Sequence, residues 1–268
     1  MKKLFTLFIV VPVIMAACST NAVTGRKQLS LFPESTLQAE AVTQYQSFLS
    51  QNKVVSASAS KDAEMVRRVG SRIATAITTY YKNKGLAKEL EGYDWQFNLV
   101  QDDQVNAWCM PGGKVVVYTG LLPITQNEAA LSIVLGHEIL HAVAQHGNER
   151  MSQVALAQGL EVAGNIFTQN NQKANSIFNS VFAPGAQVGV LLPNSRKQEY
   201  EADRFGMIFA AMAGYNPNEA VPFWQRMANA SQGNKPPEFL SSHPADDNRI
   251  ENIKKYLPEA LKYYKPRK

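Results

Sequence analysis

From Lys61 onward, the apolar side chains Met65, Val66, Val69, Ile73, Ile77 and Tyr80 recur at helical spacing. That stripe predicts an amphipathic helix laid against a core. An earlier helix is expected from Pro33-Glu34-Ser35 through Leu49, and residues 56–60 form a small-residue linker. Residues 95–100 alternate as a strand, residues 105–110 form a second, Pro111-Gly112-Gly113 is a turn, and the Val-rich residues 114–118 form a third. Helical patterning then returns over residues 125–147 and 149–182, the latter interrupted by the polar run 169–172. It continues over 195–214, 217–230 and 246–264, with the Pro236-Pro237 loop between the last two. No internal repeat is visible. The order predicts an α+β fold, mainly helical, with one small sheet.

The first residues do not fit that scheme. Met1-Lys2-Lys3 leads into an uncharged apolar run ending at Met15-Ala16-Ala17-Cys18-Ser19. A positive start, a short apolar stretch and small residues at its end are the form of a secretory signal, and the run is short for a membrane span. Small residues before a Cys resemble a bacterial lipobox, so residues 1–17 are expected to be a signal peptide and Cys18 the lipidated N-terminus. Several acyl chains, at about 0.8 kcal/mol per buried CH₂, would anchor the protein stably. Residues 18–33 then read as a polar tether and residues 34–268 as one domain. Ser19, rather than Asp, after the Cys resembles the outer-membrane sorting pattern, which gives a periplasmic protein held at the outer membrane. Lipid on Cys18 leaves Cys109 without a disulfide partner, and its apolar strand context suits a buried structural thiol.

Composition narrows the function classes. The chain has 268 residues, 45% hydrophobic and 18% charged, enough for a sizeable core. Its net charge of +5 falls to +3 once Lys2 and Lys3 go with the signal. The only dense basic run is Lys265-Pro266-Arg267-Lys268, so a nucleic-acid partner is not expected.

The candidate chemistry sits in His137-Glu138-Ile139-Leu140-His141. On a helix, His137 and His141 share a face and can reach one ion, while Glu138 can polarise a water beside it. The whole chain holds only four His. A catalytic zinc site needs a third ligand and one open position. His146 is close in sequence, but on a continuing helix it lies about 180° from His137, which leaves it a packing or hydrogen-bonding role. Glu199 and Asp203 are four apart on one face of a later helix, with Glu201 about 200° away from Glu199. One carboxylate can bind the ion and the other can accept the N–H of a ligating His. The same spacing also describes a solvated acidic face, and the upstream motif decides for the site.

Together with Ser242-His243-Pro244 and Arg249, these segments resemble peptidase family M48, the zinc metallopeptidases that include CAAX prenyl proteases and HtpX-like proteases. The chain is most similar to its small periplasmic lipoprotein members. The resemblance runs from about Asp62 to Leu257 and takes in Asn106-Ala107-Trp108, Pro111-Gly112-Gly113, Thr119-Gly120-Leu121-Leu122 and Ser195-Arg196. It implies a zincin-like fold with one Zn²⁺ per chain held by His137, His141 and Glu199. It also implies Glu138 as general base and Asp203 hydrogen-bonded behind a ligand. His243 would face the site as a hydrogen-bond donor to the oxyanion, and Arg249 would hold its loop. Asn106 and Ala107 would belong to an edge strand to which an extended peptide adds.

The implied activity is hydrolysis of peptide bonds in unfolded or misassembled envelope proteins, with envelope assembly or quality-control factors as partners. The competing expectation is a zinc-binding lipoprotein that mainly holds clients or assembly partners over a covered site. Residues 169–185 are the candidate cover, being irregular and lying between the ligand helices.

Overall fold

The stripe from Met65 to Tyr80 becomes one face of a 23-residue helix, Lys61–Asn83, packed on the main core. The computed structural model describes residues 18–159, 171–182, 195–231, 237–243 and 248–266. The expected signal peptide lies outside them. The expected cover does too at residues 169–170 and 183–185.

In chain order, the strands are β1 (Cys18–Thr20), β2 (Lys27–Leu29), β3 (Val54–Val55), β4 (Gln96–Val100), β5 (Ala107–Met110) and β6 (Lys114–Tyr118). The helices are α1 (Glu34–Gln51), α2 (Lys61–Asn83), α3 (Leu122–Thr125), α4 (Glu128–Val143), α5 (His146–Ala157), α6 (Gln172–Phe182), α7 (Arg196–Met212), α8 (Ala220–Ala230), α9 (Phe239–Ser242) and α10 (Arg249–Leu261). The sheet runs β3-β4-β6-β5. β4 and β6 are parallel, with Gln96 opposite Lys114, and the other pairs are antiparallel. Every residue of β6 is buried, as expected of a central strand, and β5 forms an edge.

Ser60 caps α2 by accepting from Ala63 N–H at 3.3 Å. Val66, Val69, Ile73 and Ile77 then pack against Leu99, Val115 and Val117 of the sheet and against the apolar body of α4. A second core under α1 gathers Leu37, Ala41 and Tyr45 with Met110, Tyr118 and the helices α5 and α6. Trp108 belongs there, meeting Tyr45 and Phe48 edge-on. The fold class matches the expectation, and no helix among the described residues is long and apolar enough to cross a membrane.

One segment differs. Residues 18–33 form a docked hairpin. β1 pairs antiparallel with β2, with Cys18 opposite Leu29. Asn21 Nδ2 donates to Ala144 O at 2.8 Å, Leu31 N donates to Ser152 Oγ at 2.9 Å, and Asn148 Nδ2 donates to Phe32 O at 2.8 Å. A polar sequence looked like a tether because its partners are side chains and carbonyls of α4 and α5, more than a hundred residues away.

Candidate metal centre

The helix that carries the H-E-x-x-H motif begins cleanly. Asn127 caps α4 by accepting from Ala130 N–H at 2.8 Å, and every residue from Ala130 to Val143 is buried. Its end is tertiary. α4 stops at Val143, Gln145 takes φ 55° in the left-handed region, and Asn21 reaches across to the carbonyl of Ala144. His146 therefore opens α5 and does not continue α4 as expected. A left-handed non-glycine residue costs about 1–2 kcal/mol, so local sequence alone would not have chosen this end.

The second carboxylate-bearing helix, α7, starts in a capping box. Ser195 Oγ accepts from Gln198 N–H, and Gln198 Oε1 accepts from Ser195 N–H. Its first turns put Glu199 and Asp203 on the face packed against α4.

There the donor atoms converge. His137 Nε2 lies 3.1 Å from His141 Nε2 and 3.4 Å from Glu199 Oε2. His141 Nε2 is 3.3 Å from Glu199 Oε1. His243 Nδ1 joins them, 3.1 Å from His137 Nε2 and 3.1 Å from Glu199 Oε1. All four residues are buried, and one donor atom from each lies within 4.8 Å of the others. A tetrahedral ion with bonds of about 2.0–2.1 Å needs donors about 3.3 Å apart, so the group fits a zinc-like ion in spacing and in donor chemistry. A further sign is Glu138 Oε1. It is buried without a hydrogen-bond partner among the described residues and stands 3.3 Å from His243 Nε2 outside hydrogen-bond geometry.

Behind the donors lies a second tier. Asp203 Oδ1 meets His137 Nδ1 at 2.9 Å, which directs that ring's other nitrogen to the donor cluster. Arg249, 2% exposed, donates to both Asp203 oxygens at 2.9 Å and stands 3.0 Å from Glu199 Oε2. It also donates to the carbonyl of His243 at 3.3 Å, and its guanidinium lies over the Trp224 ring, 3.4 Å from the centroid. One cation thus balances two buried carboxylates and ties down the His243 segment.

Charge follows this arrangement. Burial raises Glu138 above the ordinary carboxylate range, against the pull of His243 and His137. Burial works the same way on Glu199, but His243, Arg249 and His137 outweigh it and hold Glu199 well below that range. Burial would lower His137, yet Glu199 and Asp203 push it up to about 9. His141 goes the other way, well below the usual histidine value, because burial dominates there.

The remaining expected residues are placed as follows. His243 enters the site, with its Nδ1 among the donors. The reason is its segment. Phe239 N donates to Val105 O at 3.0 Å and the Phe239 ring stacks on His243, which seats the imidazole directly over the cluster. Asn106 is buried, and its Oδ1 accepts from Ala107 N–H at 2.9 Å. Ala107 begins edge strand β5, as expected. Cys109 is half-buried at the edge of the core and not fully buried as expected, and desolvation pushes its thiol well above its usual value. Cys18 is the first described residue and begins β1. Residues that the sequence did not flag are Arg26, Glu149 and Trp224. Only their position in space connects them to the site.

A model of peptidase family M48 matches residues 60–257. The mitochondrial metalloendopeptidase OMA1 of Saccharomyces cerevisiae is 35% identical over 182 residues, 65% of this chain and 50% of that protein. The protein of the same name in Schizosaccharomyces pombe is 33% identical over 206 residues, 74% of this chain and 59% of that one. The beta-barrel assembly-enhancing protease of Yersinia pestis is 34% identical over 165 residues, 60% of this chain and 34% of that protein. The chain thus spans about a third to three fifths of the length of these relatives. With the family match covering most of the sequence and both ligand-bearing helices, the chain belongs to peptidase family M48.

Proposed function

We propose that this protein is a zinc metalloendopeptidase in which His137, His141 and Glu199 hold the ion and Glu138 is the general base. The observation that carries this reading is the convergence of buried donor atoms beside an orphaned carboxylate oxygen. Bound zinc would acidify a water and polarise the scissile carbonyl. Glu138, with its affinity for protons raised by burial, would take a proton from the attacking water and return it to the leaving amine. Asp203 and Arg249 keep His137 aimed throughout. An extended polypeptide adds along β5.

The substrates we propose are unfolded or misassembled envelope proteins, and the site of action is the periplasmic face of the outer membrane, through lipid on Cys18. The sequence Met15-Ala16-Ala17-Cys18-Ser19 supports the anchor. The name of the Yersinia relative supports the substrate class.

A second reading rests on His243. Its Nδ1 stands at the fourth corner, where a catalytic site keeps an open position. In this arrangement the site is covered, and the protein would hold clients until the segment around His243 withdraws.

The experiment is cleavage of casein by the purified chain and by Glu138→Gln, with zinc measured in both. Cleavage by the wild type alone, with about one zinc per chain in each, supports the peptidase. Zinc in both with no cleavage favours the covered binder. Absence of zinc from both removes the metal assignment.

A further inference from the structure

His141 turns Nε2 to the donor cluster, so Nδ1 is its remote nitrogen. That nitrogen lies 2.9 Å from His146 Nδ1, and His146 Nε2 lies 3.1 Å from Glu201 Oε2. Two imidazole nitrogens at this distance share one proton. If the lone pair of His141 Nε2 faces an ion, the proton of His141 is on Nδ1 and His146 Nδ1 must accept it. The proton of His146 is then on Nε2, where it is donated to Glu201. Only this arrangement satisfies every atom in the line from carboxylate to ligand.

Glu201 is held in turn. Arg26 Nε donates to both of its oxygens, at 2.8 and 3.1 Å. The other two guanidinium nitrogens fork onto Glu149 at 2.6 Å each, and Glu149 also accepts from Gln198 Nε2 at 2.6 Å. The side chains of Arg26, Glu149 and Glu201 are only 12%, 9% and 14% exposed. Arg26 sits in the β1–β2 hairpin, so a single side chain pins that hairpin to α5 and α7. The planar fork that grips two carboxylates at once is specific to Arg.

The two ligand imidazoles are therefore backed alike. Behind His137 stand Asp203 and Arg249. Behind His141, through His146, stand Glu201 and Arg26. We propose that Glu201, clamped by Arg26, is a positioning residue for the metal centre, setting the tautomer and aim of His141 by way of His146. The proposal rests on His141 being a metal ligand. Its consequence is that the N-terminal hairpin, whose Arg26 lies 115 residues from His141 in sequence, helps to shape the site.

The test compares Glu201→Ala, Glu201→Gln and Arg26→Lys with the wild-type chain. Zinc affinity is read by chelator competition, the ligand field by the absorption of the cobalt-substituted protein, and kcat and KM at saturating zinc. Arg204→Ala is the control, because Arg204 lies on the same helix and forks onto Glu259 at 2.7 and 2.9 Å without touching this line. Glu201→Ala and Arg26→Lys should weaken zinc binding about 10-fold or more, shift the cobalt spectrum and lower kcat at unchanged KM. Glu201→Gln keeps an acceptor for His146 and should recover most of that loss, while Arg204→Ala should change only the Tm. Wild-type zinc affinity and cobalt spectrum in both Glu201→Ala and Arg26→Lys, whatever their Tm, would reduce the network to a structural clamp and overturn the proposal. A wild-type chain that binds no zinc would overturn the metal assignment as well, and the two failures are told apart by which protein fails.

Discussion

Gly136 and Gly206 meet backbone to backbone. A Cβ on Gly136 would lie 2.5 Å from the carbonyl oxygen of Gly206, and one on Gly206 would lie 2.8 Å from both Gly136 C and His137 N. Glycine at both positions lets α4 and α7 cross closer than side chains allow. That approach brings His137 within reach of Glu199 and Asp203.

Gly206→Ala reads this contact directly. In a helix interior, alanine would ordinarily stabilise by about 1 kcal/mol over glycine. Here the methyl meets backbone that cannot rotate away, so the expected result is a loss of about 1–3 kcal/mol. The His137 backbone is what gives way, so zinc affinity should fall together with stability. Urea unfolding and chelator competition on the same preparation check both. An increase in stability would show that the helices can part without cost.

The contrast between these glycines and the motif shows what the sequence could reveal. His137, His141, Glu199 and Asp203 were legible because helical spacing alone puts each pair on one face. Gly136 and Gly206 left a weaker mark, an isolated glycine inside each apolar helix, which signals close packing without naming the partner. The end of α4 left no local mark. Ala142-Val143-Ala144-Gln145 reads as helix, and the chain turns at Gln145 while Asn21 holds the last carbonyl. That one misplaced boundary hid the contact between His146 and His141, and with it the purpose of Glu201. Such contacts are long-range, and no periodicity encodes them.

His243→Ala distinguishes a ligand-like histidine from an oxyanion donor. With Nδ1 among the donors, its removal should open the fourth position. Casein cleavage should then rise while zinc affinity falls about 10-fold, the usual range for loss of a supporting group. A donor to the transition state would behave in the opposite way, with kcat falling about 10²–10³-fold. The direction of the change in kcat decides between them.

Arg249 carries a larger structural burden than its surface-type side chain suggests. It is buried between Asp203, Glu199 and the Trp224 ring. Arg249→Ala would leave two buried carboxylates without their cation, a loss of about 3–5 kcal/mol. Arg249→Lys keeps the charge but cannot grip both Asp203 oxygens, so it should fall between the two. Denaturant midpoints of the three proteins check the order, and a loss below about 1 kcal/mol for Arg249→Ala would mean that water reaches these carboxylates.

Glu34 gives the fold a dependence on pH that is separate from the metal centre. Burial pushes its carboxyl up to about 7 from 4.5, against hydrogen bonds involving Asn148 and Gln38, and its Oε1 has no partner among the described residues. The folded state thus keeps a proton that the unfolded chain releases near pH 4.5. Below that pH both states are protonated and the residue costs nothing. Between about pH 4.5 and 7 the folded state loses stability as pH rises, and above about 7 the loss is complete. At about 1.4 kcal/mol per unit, reduced because the residue is only partly buried, this amounts to roughly 1–3 kcal/mol. Glu34→Gln should therefore be more stable than the wild type by that amount at pH 8, with the difference closing by about pH 4. Urea unfolding with chelator present, so that zinc does not enter, measures it at both ends. A difference that stays the same at pH 4 and pH 8 would assign the effect to packing and not to a proton.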